Sequence, residues 1–182
     1  MGAVYSIKGS AIRMKFEFVG NRFGPDAEAA MRAHFRNRKE LEALLDVSWV
    51  PFELYEEINQ YIARTHYRGD LRSLQEVGAY SADRGLQSIY RAWVRGKAFL
   101  DFLQQMTDYY RTLYSAGDLV VSVGDDQRSA TLSFRNAPQY SHAELNIATG
   151  FFVGSAKVMG LPGVTSEAAL LPRGMDLKLR WR

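Results

Sequence analysis

Four kinds of residue in this 182-residue chain could carry chemistry, and their spacing decides what each can do. His34, His66 and His142 lie far apart, and none has a second ligand residue at helical spacing, so a metal centre would need long-range convergence. No metal site is expected. Glu56 and Glu57 are adjacent, which on a helix turns their carboxylates about 100° apart instead of across one substrate, so they read as a polar face. Asp125 and Asp126 separate two alternating segments and read as turn residues. Gly150, Gly154 and Lys157 lack both the spacing and the Gly-Lys-Ser/Thr ending of a phosphate loop.

The fourth kind is aromatic. Trp49, Tyr55, Tyr61, Tyr90, Trp93, Tyr109 and Tyr110 fall on successive helical segments, where such residues either pack a core or line a cavity, and a buried tyrosine hydroxyl needs a partner. The expected ligand-binding set is Trp49, Tyr55, Arg84, Tyr90, Arg91, Tyr109 and Tyr110, with Arg84 and Arg91 flanking the aromatics, placed to hold an anionic group or to pair with Asp83 or Glu76. Gly150 and Gly154 each cost a helix about 1 kcal/mol relative to alanine, so close packing should compensate them. They are read as an interface, with a helix of the same chain or of a second copy. An enzyme would have to assemble Arg84, Arg91, Glu53 and His66 from distant segments, and no catalytic group is expected.

Composition sets the wider limits. Apolar residues make up 47% and charged residues 24%, ordinary globular usage, and one domain spanning 1–182 is expected. With no cysteine there are no disulfides and no thiolate ligands, which suits a reducing compartment such as the cytoplasm. Lys8, Arg13, Lys15 and Glu17 interrupt the early apolar residues, so no signal peptide is read, and no stretch approaches the roughly 18 apolar residues of a membrane span. The net charge of +3 is small, and the basic groups Lys178, Arg180 and Arg182 have no stacking aromatics interleaved on the same strand face, so nucleic acid is not an expected partner. The expected partners are a second copy of the chain, another protein, and a small apolar or anionic ligand. No cofactor is expected.

The elements that must position these residues follow from periodicity. A short strand, Val4 to Lys8, ends at Gly9. Over 10–23, Ile12, Phe16, Val19 and Phe23 have helical spacing while Ile12, Met14, Phe16 and Phe18 alternate like a strand; helix is the preferred reading. Pro25 opens a second helix to Phe35, and Leu41, Leu44 and Leu45 suggest a third, short one. Pro51 opens a segment with Leu54, Ile58 and Tyr61 on one stripe. Gly69 and Asp70 separate it from one bearing Leu71, Leu74, Val77 and Gly78, and Leu86, Ile89, Tyr90 and Trp93 continue to Gly96. Phe99, Leu103, Met106, Tyr110 and Leu113 give the cleanest stripe, stopped at Gly117. Leu119 to Phe134 then alternates as a hairpin, Ser141 and Glu144 form a capping box before a long helix, and Met175 to Trp181 alternates again. The fold class is α/β, more narrowly α+β, with several helices on one face of a small antiparallel sheet, helices first and strands mainly in the C-terminal third.

The run Lys8-Gly9-Ser10, Arg22-Phe23-Gly24, Trp49-Val50-Pro51-Phe52-Glu53-Leu54-Tyr55, Gly69-Asp70, Tyr80-Ser81-Ala82-Asp83-Arg84-Gly85-Leu86, Ile89-Tyr90-Arg91, Tyr109-Tyr110, Gly117 and Leu179-Arg180-Trp181-Arg182 resembles a myxobacterial-type paralogous family. That family is allied to the superfamily of 4-vinyl reductases, heme-nitric-oxide-binding domains and TRAPP subunits. The resemblance implies helices over one sheet face, dimerisation through helices, and use as a small-molecule sensor or assembly subunit. Two departures limit it. The stretch Ala168 to Gly174 offers no thiol for metal or acyl chemistry, and the chain has no Tyr-x-Ser-x-Arg clamp of the kind heme sensors use, so heme binding is not expected.

Overall fold

The computed structural model describes residues 5–42, 44–88 and 91–182. Ile89, Tyr90 and the Trp93 side chain fall outside the described set. Strand β1 (Ser6–Lys8) runs straight into helix α1 (Gly9–Phe23). Helical spacing wins in α1 because Ile12, Phe16 and Val19 share one buried stripe, which an extended chain would split between two faces. After Gly24, whose φ of 99° turns the chain, α2 (Pro25–His34) begins with proline in its first turn, where the missing N–H costs nothing.

Among the described residues around Leu41 to Leu45 the expected short helix is not seen. A 3-10 turn, Lys39–Leu41, stands there instead, and Leu45 is 63% exposed. The backbone that follows serves α1: the N–H groups of Gly9 and Ser10 donate to the carbonyls of Ser48 (2.8 Å) and Asp46 (3.2 Å), satisfying donors that a helix start leaves without partners. A strand the periodicity did not show, β2 (Trp49–Pro51), pairs antiparallel with β1, placing Ile7 opposite Val50.

Helix α3 (Phe52–Tyr67) buries Phe52, Tyr55, Ile58, Asn59 and Ile62, and ends at Arg68 in the left-handed region. A 3-10 turn, Leu71–Leu74, capped by the Asp70 carboxylate, leads into α4 (Gln75–Gln87). A short α5 (Arg91–Val94) precedes α6 (Phe99–Leu113), which buries its anticipated Phe99, Leu103, Met106 and Tyr110 together with Phe102 and Tyr109. Strands β3 (Asp118–Val123) and β4 (Ser129–Arg135) form the expected hairpin; helix α7 (His142–Val158) crosses back, and β5 (Thr165–Leu171) and β6 (Gly174–Arg180) close the chain. The antiparallel order is β3-β4-β6-β5. Leu119, Ala130, Leu132, Phe134, Met175, Leu177 and Leu179 lie buried on the face that meets the helices, while Thr131, Ser133, Arg135, Asp176 and Lys178 alternate onto the other.

Gly150 and Gly154 pack within the chain. A methyl group on Gly150 would collide with the Gln75 carbonyl, one on Gly78 with the Ile147 carbonyl, and one on Gly154 would come 2.9 Å from the Ala79 Cα. Helices α4 and α7 therefore cross backbone against backbone. Alanine at position 150 would gain about 1 kcal/mol of helix propensity but lose more to overpacking, which costs roughly 1–3 kcal/mol and more where the obstacle is backbone. Gly150→Ala should lower the unfolding free energy by about 2 kcal/mol or more in urea denaturation; unchanged stability would contradict this crossing.

Candidate functional site

Helices α1, α3, α4, α6 and α7 and the inner sheet face line a partly open cavity of about 130 Å³. Its walls are mostly apolar: Ile7, Met106, Leu113, Leu119, Phe134, Ile147, Phe151 and Phe152. Small residues leave the space open, namely Ser10 and Ala11 on α1, Ser81 and Gly85 on α4, and Ala148 on α7. Into this setting come two ionisable groups, Lys15 and Glu144, each 2% exposed, with Tyr55, Tyr110 and Tyr114 around them.

Glu144 stands where the capping box was read, yet only half the box exists. Ser141 Oγ accepts the backbone N–H groups of Ala143 (3.0 Å) and Glu144 (3.3 Å), as an N-cap should. The Glu144 carboxylate turns inward instead of back to the cap: Tyr55 donates to Oε2 (2.7 Å) and Tyr114 to Oε1 (2.6 Å). Burial raises its pKa above the ordinary carboxylate value, against the lowering effect of those hydrogen bonds and of Lys15. Tyr55 and Tyr114 are themselves pushed well upward by burial and by the Glu144 charge, so they remain donors. A second hydroxyl pair, Tyr110 and Tyr140 at 2.6 Å, extends the polar cluster.

Lys15 reaches the cavity from α1. Its Nζ stands 4.4 Å from the centre of the Tyr55 ring. It forms no ion pair and no hydrogen bond among the described residues, although the Glu144 and Glu56 charges act on it. Burial dominates and brings its pKa from 10.5 down to about 8. Behind Tyr55 on α3, Glu56 Oε2 and both amide atoms of Asn59 are buried without a partner among the described residues, whereas Glu56 Oε1 accepts from Ser141 (2.8 Å) and Gln60 (3.0 Å). The Glu56-Glu57 pair is thus split, Glu57 exposed and Glu56 half-buried.

Of the residues singled out from the sequence, Tyr55, Tyr109 and Tyr110 line the cavity. Trp49 stands apart, 48% exposed, with Lys8 Nζ 3.7 Å over its ring. Arg84 and Arg91 are exposed, and Tyr90 lies outside the described residues. Glu53, His66, Arg84 and Arg91 are not brought together at the cavity; His66 stacks on Phe23 at 4.2 Å. Lys15 and Glu144 are the residues that sequence reasoning missed. Lys15 did carry a signal, since 12, 15, 16 and 19 form one helical stripe and only Lys15 on it is charged. Among the described residues no group of three metal-binding side chains forms, and no helix is long and apolar enough to cross a membrane.

No protein family matches the chain, and no curated protein does. Solved structures do. An oxygen-binding H-NOX domain related to soluble guanylate cyclases superposes with a TM-score of 0.76 at 10% identity, over 97% of this chain and 95% of that one. An H-NOX protein from S. oneidensis in the Fe(II)NO state gives 0.76 at 10%, covering 97% and 99%. A Cs H-NOX mutant carrying 4-cyano-L-phenylalanine gives 0.75 at 11%, covering 97% of each. The chain has the H-NOX fold; identity at this level speaks for the fold alone.

Heme, which those structures bring to mind, does not fit these residues. The cavity has the volume of a single aromatic ring, not of a tetrapyrrole. His34, His66 and His142 all lie off its wall, and the cavity-lining Tyr55, Tyr110 and Tyr114 hydroxyls are engaged by Glu144, Tyr140 and the Ala116 carbonyl.

Two outcomes follow for the polar cluster. Tyr114→Phe leaves one Glu144 oxygen buried without a donor and should cost about 1–3 kcal/mol in urea denaturation. For Lys15 the folded pKa lies below the unfolded one, so between pH 8 and 10.5 the unfolded chain holds a proton that the folded chain has released, and stability rises with pH. The unfolding free energy of wild type relative to Lys15→Met should move in favour of wild type by up to about 3 kcal/mol across that window, and a flat difference would refute the burial of the amine.

Proposed function

We propose that this chain is a non-catalytic sensor module that binds a compact apolar molecule, about the size of one aromatic ring, between its helices and its sheet. The observation that carries the reading is a cavity of about 130 Å³ with mostly apolar walls, lined by one amine, Lys15, that has no hydrogen-bond or ion-pair partner among the described residues. An apolar cavity of about 150 Å³ is known to stay dry and to take up benzene, so the volume is sufficient. The H-NOX neighbours include an oxygen-binding domain and a structure that probes heme distortion, which supports small-molecule sensing as the use of this fold.

Occupancy has a route outward. Ser10, Ala11, Met14 and Lys15 of α1 line the cavity, and the N-terminus of the same helix is held by the 45–48 segment, where Leu45 and Val47 are 63% and 72% exposed. A shift of α1 on ligand entry would move that apolar segment, and with it a surface for a protein partner or a second copy. The likeness to 4-vinyl reductase and TRAPP-subunit proteins, and a cytoplasmic setting, rest on the sequence alone.

Thermal unfolding with toluene, phenol and indole tests the reading. A ligand at about a hundred times its Kd adds roughly 2.7 kcal/mol, which raises Tm by about 5–10 °C for a domain of this size. Ala11→Leu, which fills the cavity from α1, should remove the shift while the variant keeps its helical circular dichroism. No shift with any of the three would overturn the proposal.

A further inference from the structure

We propose that the cavity captures small aldehydes as reversible imines on Lys15. The inference rests on the reading of the cavity as a ligand site and names the chemical class it takes. A buried lysine is ordinarily paired with a carboxylate or satisfied by hydrogen bonds. Here both Glu144 oxygens accept tyrosine hydroxyls, and Lys15 Nζ stands over the face of the Tyr55 ring. The amine therefore meets the open space with its lone pair unspent whenever it is deprotonated, and burial makes deprotonation accessible near pH 8.

The step balances within the site. The Nζ lone pair attacks the carbonyl carbon, forming the C–N bond while the C=O π pair moves to oxygen, and a proton passes from nitrogen to that oxygen to give a carbinolamine. As the C–O bond of the carbinolamine breaks, the nitrogen lone pair forms C=N and the proton left on nitrogen departs with the hydroxyl as water. Aldehyde and amine become imine and water, with nothing oxidised or reduced. The neutral imine also suits an apolar wall better than an ammonium does. Carbamate formation with carbon dioxide would instead add a buried anion in the field of Glu144 and Glu56, so a carbonyl compound with an apolar body is the favoured class. The cavity volume limits that body to roughly one ring.

The test uses the wild-type chain with benzaldehyde and sodium cyanoborohydride at pH 8, followed by peptide mapping of the benzyl adduct. Lys8, Lys39, Lys97, Lys157 and Lys178 serve as internal references. Labelling of Lys15 should run about tenfold or more faster than at any of these, because the neutral amine is the nucleophile and ordinary lysines are almost wholly protonated there. Saturating toluene should suppress the Lys15 adduct and leave the others unchanged. Even labelling of the lysines, or Lys15 labelling indifferent to toluene, would overturn the proposal. A toluene-induced rise in Tm without a Lys15 adduct would overturn the covalent step alone and leave the ligand-binding reading standing.

Discussion

A carboxylate taken out of water must be given donors, and the fold is arranged around meeting that demand at Glu144. Tyr55 comes from the first turn of α3, Tyr114 follows directly on α6, and Glu144 itself opens α7, so one side chain ties three helical elements together. Each tyrosine is held by its hydrogen bond with its ring plane fixed. The Tyr55 ring then presents its face to Lys15, which anchors α1 over the same site. Loss of either tyrosine would leave a buried charge under-satisfied, a cost in a low-dielectric interior well above the value of one exposed hydrogen bond. Tyr110 and Tyr140 extend the cluster toward the sheet, where both rings pack edge-on against Phe134.

The glycine crossing of α4 and α7 explains why space remains beside this cluster. Gly78, Gly150 and Gly154 let the two backbones meet, which fixes how far Ser81 and Gly85 stand from Ala148 and Phe151. A void kept open by small residues, beside a charge that burial disfavours, is two departures from good packing at one place, and such departures gather where a molecule is meant to bind.

Most of the architecture was legible because long amphipathic stripes and strict alternation leave little choice. The stripe of α6 and the β3-β4 hairpin are set by local sequence. What escaped depended on distant partners. The segment after Leu41 has the leucines of a helix, yet its carbonyls serve the first N–H groups of α1, a contact no local pattern records. Strand β2 is three residues long and exists only through β1. Glu144 was hidden by its own motif, since Ser141-x-x-Glu144 is a complete capping box on paper and only the structure shows the carboxylate drawn inward by two tyrosines. Lys15 read as one of several charges interrupting an apolar stretch. Its place on the Ile12, Phe16 and Val19 stripe was the available sign, and the competing strand reading of 10–23 obscured it.

The likeness to H-NOX structures sharpens what a fold does and does not determine. At 10% identity the shared quantity is the layering: a helical layer against one face of a four-stranded antiparallel sheet, which needs only apolar faces of the right period. The interior between the layers answers to different residues. In this chain it holds an amine, a carboxylate and four tyrosines around a ring-sized void, with every histidine elsewhere. Iron ligation needs a donor aimed at the centre of a broad flat space; imine formation needs an unprotonated nitrogen at the edge of a narrow one. Side chains at a few inward positions separate these two chemistries without disturbing the backbone around them, so function here has to be read from Lys15, Tyr55 and Glu144 and not from the scaffold that carries them.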